Sequence, residues 1–207
     1  MKLLSEKTMG YIYLIATFIM WGSLFVAAKY VMAEVPPLMV LATRYGISVI
    51  VLYFIMKRRG FKKIRKEDKK ILFAIGGVGY FFGIAFQLMG NDLLDASLSS
   101  LINSLNPVVI PIIATVFLKE KINWQIILSI IFSVVGVYII LGVGGNISML
   151  GIIVNILSLL FWSVSCCMVR KISAHYDPIQ LTLYAMAIAL IFAIPAGVIN
   201  VISVPTT

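Results

Sequence analysis

The sequence predicts an all-α, polytopic helical membrane protein with about seven transmembrane helices, and three observations carry that prediction. Apolar residues make up 61% of the chain and charged residues only 12%, about half the roughly 25% of a soluble domain. Hydrophobic runs of about 20 residues, the length that crosses ~30 Å of hydrocarbon, recur along the whole chain. No short alternating pattern of the barrel type interrupts them.

The runs can be taken in order. Span one covers roughly Met9 to Met32. Lys2 and Lys7 precede it as in a signal peptide, but the apolar run is too long for a signal h-region and lacks a small-residue cleavage site, so it reads as a retained helix. Glu34, Pro36 and Pro37 make a turn, and proline starts helices better than it continues them. Span two is Leu38 to Met56, followed by KRRGFKKIRKEDKK from Lys57 to Lys70. Span three is Ile71 to Gly90, with Asp92 and Asp95 in the loop after it. Span four is Ser97 to Leu118, and a tight turn from Lys119 to Asn123 leads to span five, Trp124 to Leu141. A glycine-rich loop, Gly142 to Ser148, precedes span six, Met149 to Val169. A polar loop from Arg170 to Asp177 precedes span seven, Pro178 to about Ile199.

Loop charge orients these spans. With the N-terminus in the cytoplasm, every Lys and Arg except Lys29 and Arg44 falls in the tail or an inner loop, and the outer loops hold only acids: Glu34, Asp92 and Asp95. That satisfies the positive-inside rule at each loop, in a plasma or inner membrane. The net charge of +9 is therefore a topology signal at the lipid bilayer. It does not indicate a nucleic-acid partner, since the basic run has neither interleaved aromatics nor a folded domain to present it. Cys166 and Cys167 are adjacent within a span and read as packing residues. One histidine, His175, leaves no His/Cys metal cluster, no cofactor is implied, and no activated nucleophile with a base suggests an enzyme.

A repeat organises the chain. Moving the sequence by 141 residues aligns Gly10 with Gly151, Trp21 with Trp162 and Pro37 with Pro178, with Lys29 on Arg170. The unit holds five spans, and an odd number inverts the second copy in the membrane. Inverted repeats are a recurring build of secondary transporters, with a site near the midplane between the copies. The expected units are residues 9–141, a complete five-helix repeat, and residues 149–207, two helices of a second. On this count two full copies need about 290 residues. The chain is then expected to be either a fragment or a short form, and a truncated, non-transporting membrane protein or subunit that needs a partner is the alternative to a carrier.

The combined motifs resemble an EamA-type member of the drug/metabolite transporter superfamily. The resemblance rests on Trp21-Gly22-Ser23-Leu24-Phe25, on Pro36-Pro37 followed by Arg44-Tyr45, and on Ala96-Ser97 through Asn106-Pro107. Leu118-Lys119-Glu120-Lys121-Ile122 and Gly136-Val137-Tyr138 complete it. The resemblance implies ten helices in two inverted repeats around a central cavity for a small-molecule substrate such as an amino acid or drug. It admits a homo-oligomer or a complementing subunit. The chain departs from the family pattern in lacking helices eight to ten.

Polar residues inside the spans nominate the cavity lining as Trp21, Arg44, Gln87, Asn103, Asn106, Asn155 and Trp162. Arg44 lies roughly 9 Å into span two at 1.5 Å per residue. It is either a counter-charge for an anionic substrate group or a gate contact, or else a partner of Glu34, Asp92, Asp95 or a helix carbonyl, because an Arg at depth costs at least ~2.5 kcal/mol. Ser99, Asn103 and Asn106 share one helix face. Pro107 strips the Asn103 carbonyl of its helical donor, so this face is expected to be polar and kinked, lining a cavity or bonding to another helix. Asn155, Ser158, Trp162 and Ser165 form a second such face. Gly76, Gly83 and Gly90, with Gly79, read as a close-packing seam. Lys29 is expected to snorkel at the outer end of span one. No Asp or Glu lies within a span, so coupling through a membrane carboxylate has no support in these seven spans.

Overall fold

Helix ends fall where the sequence places residues that cannot continue a helix. The computed structural model describes residues 6–117 and 148–203, and between them only Trp124, Ile127, Leu128, Ile131, Phe132, Val135 and Gly136. Among the described residues six helices are long and apolar enough to cross a membrane. They are α1 (Glu6–Met32), α2 (Pro37–Arg59), α3 (Asp68–Leu93), α4 (Ala96–Phe117), α5 (Met149–Ile172) and α6 (Pro178–Ser203). Each matches one expected span to within a few residues, and Asp92 belongs to the last turn of α3 rather than to the loop. The turn at Lys119–Asn123 and span five lie outside the described residues apart from the isolated positions named above.

Local chemistry explains the boundaries. Pro37 opens α2, where its missing N–H would lack a partner in any case. Gly60 closes α2 at φ 90°, a backbone region that L side chains rarely adopt, with its N–H on the Met56 carbonyl at 2.8 Å. Ser148 caps α5, its Oγ accepting from the Gly151 N–H at 3.2 Å.

Two helices are irregular. α3 runs as a π-helix from Ile75 to Gly83, between α-helical ends. α4 does not merely kink at its prolines: it breaks at Ser104–Leu105, and a new helix starts at Asn106. The break falls one turn before Pro107 because a proline clashes with the preceding turn while serving well at a helix start.

The glycines of α3 do form a seam. A Cβ on Gly76 would come within 2.6 Å of Ile188 Cβ on α6, one on Gly79 would overlap the Ser165 side chain of α5, and one on Gly90 would overlap Asn155. At Gly83 it would sit 3.4 Å from the Trp162 backbone. Small residues let helices approach where lipid supplies no hydrophobic drive for association. Gly79→Val is therefore expected to destabilise the fold by about 1–3 kcal/mol, the usual range for overpacking. A thermal melt in detergent checks it, and an unchanged midpoint would contradict the seam.

α2 packs along α6, with Leu41, Tyr45, Ala189 and Ala193 in their shared core. Gly197 lies on the backbone of Leu38 and Met39, and Asn200 Oδ1 accepts from the Leu38 N–H at 3.2 Å, one of the orphan donors at the start of α2. At the other end Arg59 reaches Asp177, just before α6, at 3.4 Å. Arg59 and Asn200 are equivalent under the 141-residue register, and each reaches the start of the other's helix. By contrast α1 turns Tyr11, Ile15, Phe18 and Ile19 outward, as lipid-facing residues do in a membrane protein.

The basic loop is tied down. Gln180 is fully buried at the start of α6 and pairs with the backbone of Lys62 both ways, accepting from its N–H at 3.0 Å and donating to its carbonyl at 2.6 Å. Tyr176 donates to Asp68 Oδ2 at 2.6 Å and accepts from the Arg65 N–H at 3.1 Å.

Candidate functional site: a polar cavity among the helices

A cavity of about 300 Å³ opens between the helices. Trp21, Arg44, Gln87, Asn103, Asn106 and Trp162 line it, so six of the seven nominated residues meet in one place. They come from five helices and from both copies of the sequence repeat. Asn155 is not part of the lining; it is fully buried behind the wall.

The wall is held by a directional chain of amides. Gln87 Nε2 donates to Asn103 Oδ1 at 3.1 Å, Asn103 Nδ2 to Asn155 Oδ1 at 2.9 Å, and Asn155 Nδ2 to the Gly151 carbonyl at 3.1 Å. A carbonyl can only accept, so Gly151 fixes the orientation of every amide behind it. Ser99 Oγ adds a second donor to Asn155 Oδ1 at 3.0 Å. The chain joins α3, α4 and α5.

The carbonyl that Pro107 leaves without a helical partner is also satisfied. Asn106 Nδ2 donates to Asn103 O at 2.8 Å, a single residue repairing the defect its neighbour creates. That bond fixes the Asn106 amide as well, and its Oδ1 is buried with no hydrogen-bond partner.

Arg44 differs from every other cation in the spans. It forms no ion pair or hydrogen bond among the described residues, and its Nη1 is buried without a partner. The expected alternative partners, Glu34, Asp92, Asp95 or a helix carbonyl, do not pair with it. One reason is that Lys29 has taken that end of the bundle. Its Nζ donates to the carbonyls of Asn91, Asp92 and Leu94, closing the C-terminus of α3 where the helix dipole favours a cation. Lys29 does not simply extend to the interface.

Aromatic rings shape the rest of the cavity. Trp162 meets Trp21 edge-on at 6.3 Å and Tyr80 at 5.4 Å. Trp21 and Trp162 are register mates, so equivalent residues of the two copies touch. Seven further residues line it outside the nominated set, among them Tyr45, Tyr80, Ser158 and Met186. The Tyr45 hydroxyl donates to the Tyr80 carbonyl at 2.7 Å, inside the π-helical stretch. Met186 is the register mate of Tyr45, so equivalent positions of the two copies line the cavity. Tyr80 lies seven residues before Gln87, so helical spacing puts it on the same face.

A family model, described as the EamA-like transporter family, matches residues 8–142. The chain belongs to the EamA-like transporter family. Its relatives include an uncharacterized transporter of Archaeoglobus fulgidus, 26% identical over 87% of this chain and 64% of that protein. The uncharacterized transporter YvbV of Bacillus subtilis is 27% identical over 86% of this chain and 59% of its own length. The uncharacterized transporter YyaM of the same organism is 26% identical over 87% and 62%. The EamA-type chain thus spans about 60% of the length of these curated relatives, and its helices make it a multi-pass membrane protein.

Proposed function

We propose that this chain forms the substrate cavity of a carrier for small organic acids, working by alternating access in a plasma or inner membrane with its N-terminus in the cytoplasm. The observation that carries the reading is Arg44, a cation lining the cavity with no counter-charge among the described residues. A cation held in a low-dielectric site without an anion is a demand for one, and a carboxylate offers the bidentate geometry a guanidinium prefers. Asn106, an acceptor without a donor in the same cavity, calls for a second group on the ligand, an amine or hydroxyl. A volume near 300 Å³ lies at the lower end for ligand pockets, about 300–1,000 Å³. It suits a metabolite of amino-acid size rather than a large drug.

Alternating access draws its support from the inverted repeat of residues 9–141 and 149–207. Register mates touch at Trp21–Trp162, and α2 and α6 exchange reciprocal end contacts through Arg59 and Asn200. Contacts of this kind are what a two-fold axis in the membrane plane produces.

The test is binding followed by counterflow. The protein in lipid nanodiscs is titrated with small hydroxy and amino acids and with their methyl esters, and the fluorescence of Trp21 and Trp162 is read. At least one free acid is expected to shift the emission while its ester does not. The acid that binds is then expected to show counterflow into proteoliposomes. Equal responses to acids and esters would overturn the charge assignment, and binding without counterflow would overturn transport by this chain.

A further inference from the structure

A second pocket, away from the central cavity, lies where the basic loop meets α3 and α6. It measures about 590 Å³ and is open on one side. Its upper wall is Lys62, Lys63 and Lys69, and its lower wall is apolar, with Phe61, Phe73 and Ile188. Lys62 Nζ is committed to the His175 carbonyl at 2.7 Å. Lys63 and Lys69 make no hydrogen bond or ion pair among the described residues. The acids closest in sequence are engaged: Glu67 pairs with Arg65 at 3.5 Å, and Asp68 accepts from Tyr176.

We propose that this pocket binds the headgroup of an anionic phospholipid, with an acyl chain lying along α3 and α6. Three arguments converge. The amino groups have no anionic partner among the described residues, while a phosphate presents one at the depth where the basic loop leaves the membrane. Phe73 and Phe61 are exposed beneath the lysines, so charged and apolar surface follow one another as headgroup and acyl chain do. The loop is also pre-ordered for binding, because Gln180 pins Lys62 from both sides and Tyr176 pins Arg65. A loop serving only as a topology charge needs no such fixing. The site joins the loop between α2 and α3 to α6, and therefore links elements of both sequence repeats. It rests on membrane embedding and not on the transport reading, so its failure leaves that reading intact.

The experiment places the purified protein in phosphatidylcholine nanodiscs doped with phosphatidylglycerol and measures co-purified lipid by native mass spectrometry. Phosphatidylglycerol is expected to be retained over phosphatidylcholine by about fivefold for each engaged lysine. The Lys63→Gln/Lys69→Gln variant is expected to lose that preference. The Lys66→Gln/Lys70→Gln variant, with the same change in net charge outside the pocket, is expected to keep it. Equal loss in both variants would mean diffuse surface attraction and would overturn the site, as would no loss in either. Displacement of the lipid by millimolar inorganic phosphate would assign the lysines to a free anion and likewise overturn the lipid assignment.

Discussion

Arg44→Gln is expected to weaken binding of an anionic substrate and to raise the thermal stability of the protein at the same time. The two signs together separate a ligand-binding cation from a structural one. Charge-assisted hydrogen bonds contribute about 1.5–3 kcal/mol, so losing one near 2 kcal/mol lowers affinity about thirtyfold. Stability moves the other way because Arg44 has no partner to leave behind. Removing an unpaired charge from within a span relieves its desolvation, about 2.5 kcal/mol or more on insertion scales. Arg44→Lys keeps the charge but not the fork, and is expected to recover only part of the affinity. Lys29→Gln supplies the contrast. Its ammonium holds three carbonyls at the end of α3, so its loss is expected to lower stability and leave ligand affinity nearly unchanged. Fluorescence titration and a thermal melt of the three variants read both quantities. If Arg44→Gln destabilises the protein as Lys29→Gln does, Arg44 is structural and the carboxylate reading fails.

The contrast also shows what a sequence can carry. Both cations were visible as charges inside spans, and composition with loop charge was enough to give the all-α membrane architecture and the six described helices. Neither fact distinguishes a capped helix end from an unpaired site. That difference depends on which carbonyls another helix delivers, and α3 delivers its own to Lys29 and none to Arg44. Spacing on a helix face was similarly informative up to a point. It put Asn103 and Asn106 on the same side as Ser99, and all three are buried. It could not show that Asn106 would repair the carbonyl freed by Pro107, since the repair requires the helix to break at Ser104–Leu105. Tyr80 is the clearest residue missed. A regular 3.6-residue period sets it within about 20° of Gln87, seven residues on, so helical spacing alone was enough to place it on the lining face.

Asn155 was nominated for the cavity, yet the structure sets it one layer behind, and its replacement makes the second large prediction. Asn155→Leu keeps the branched shape of the side chain but removes the acceptor of two hydrogen bonds and the group that anchors the amide chain to Gly151. Interhelical hydrogen bonds in membranes average ~0.6 kcal/mol and reach about 1.7. Losing three, one of them local to α5, is expected to destabilise the fold by about 2 kcal/mol, or a midpoint shift near 5 °C for a chain of this size. The more telling effect is on the ligand, which Asn155 does not touch. Without Asn155 Oδ1 the Asn103 amide keeps only its bond to the Ser99 carbonyl, and the Gln87 amide it orients is held less firmly. Substrate affinity is then expected to fall severalfold with no change in the preference for free acids over esters, because that preference belongs to Arg44. A melt and an acid-against-ester titration on one variant resolve the two effects. Unchanged affinity beside a lowered midpoint would reduce the amide chain to structural bonding between α3, α4 and α5. Lost acid preference would place Asn155 in direct charge recognition, against its burial behind the wall.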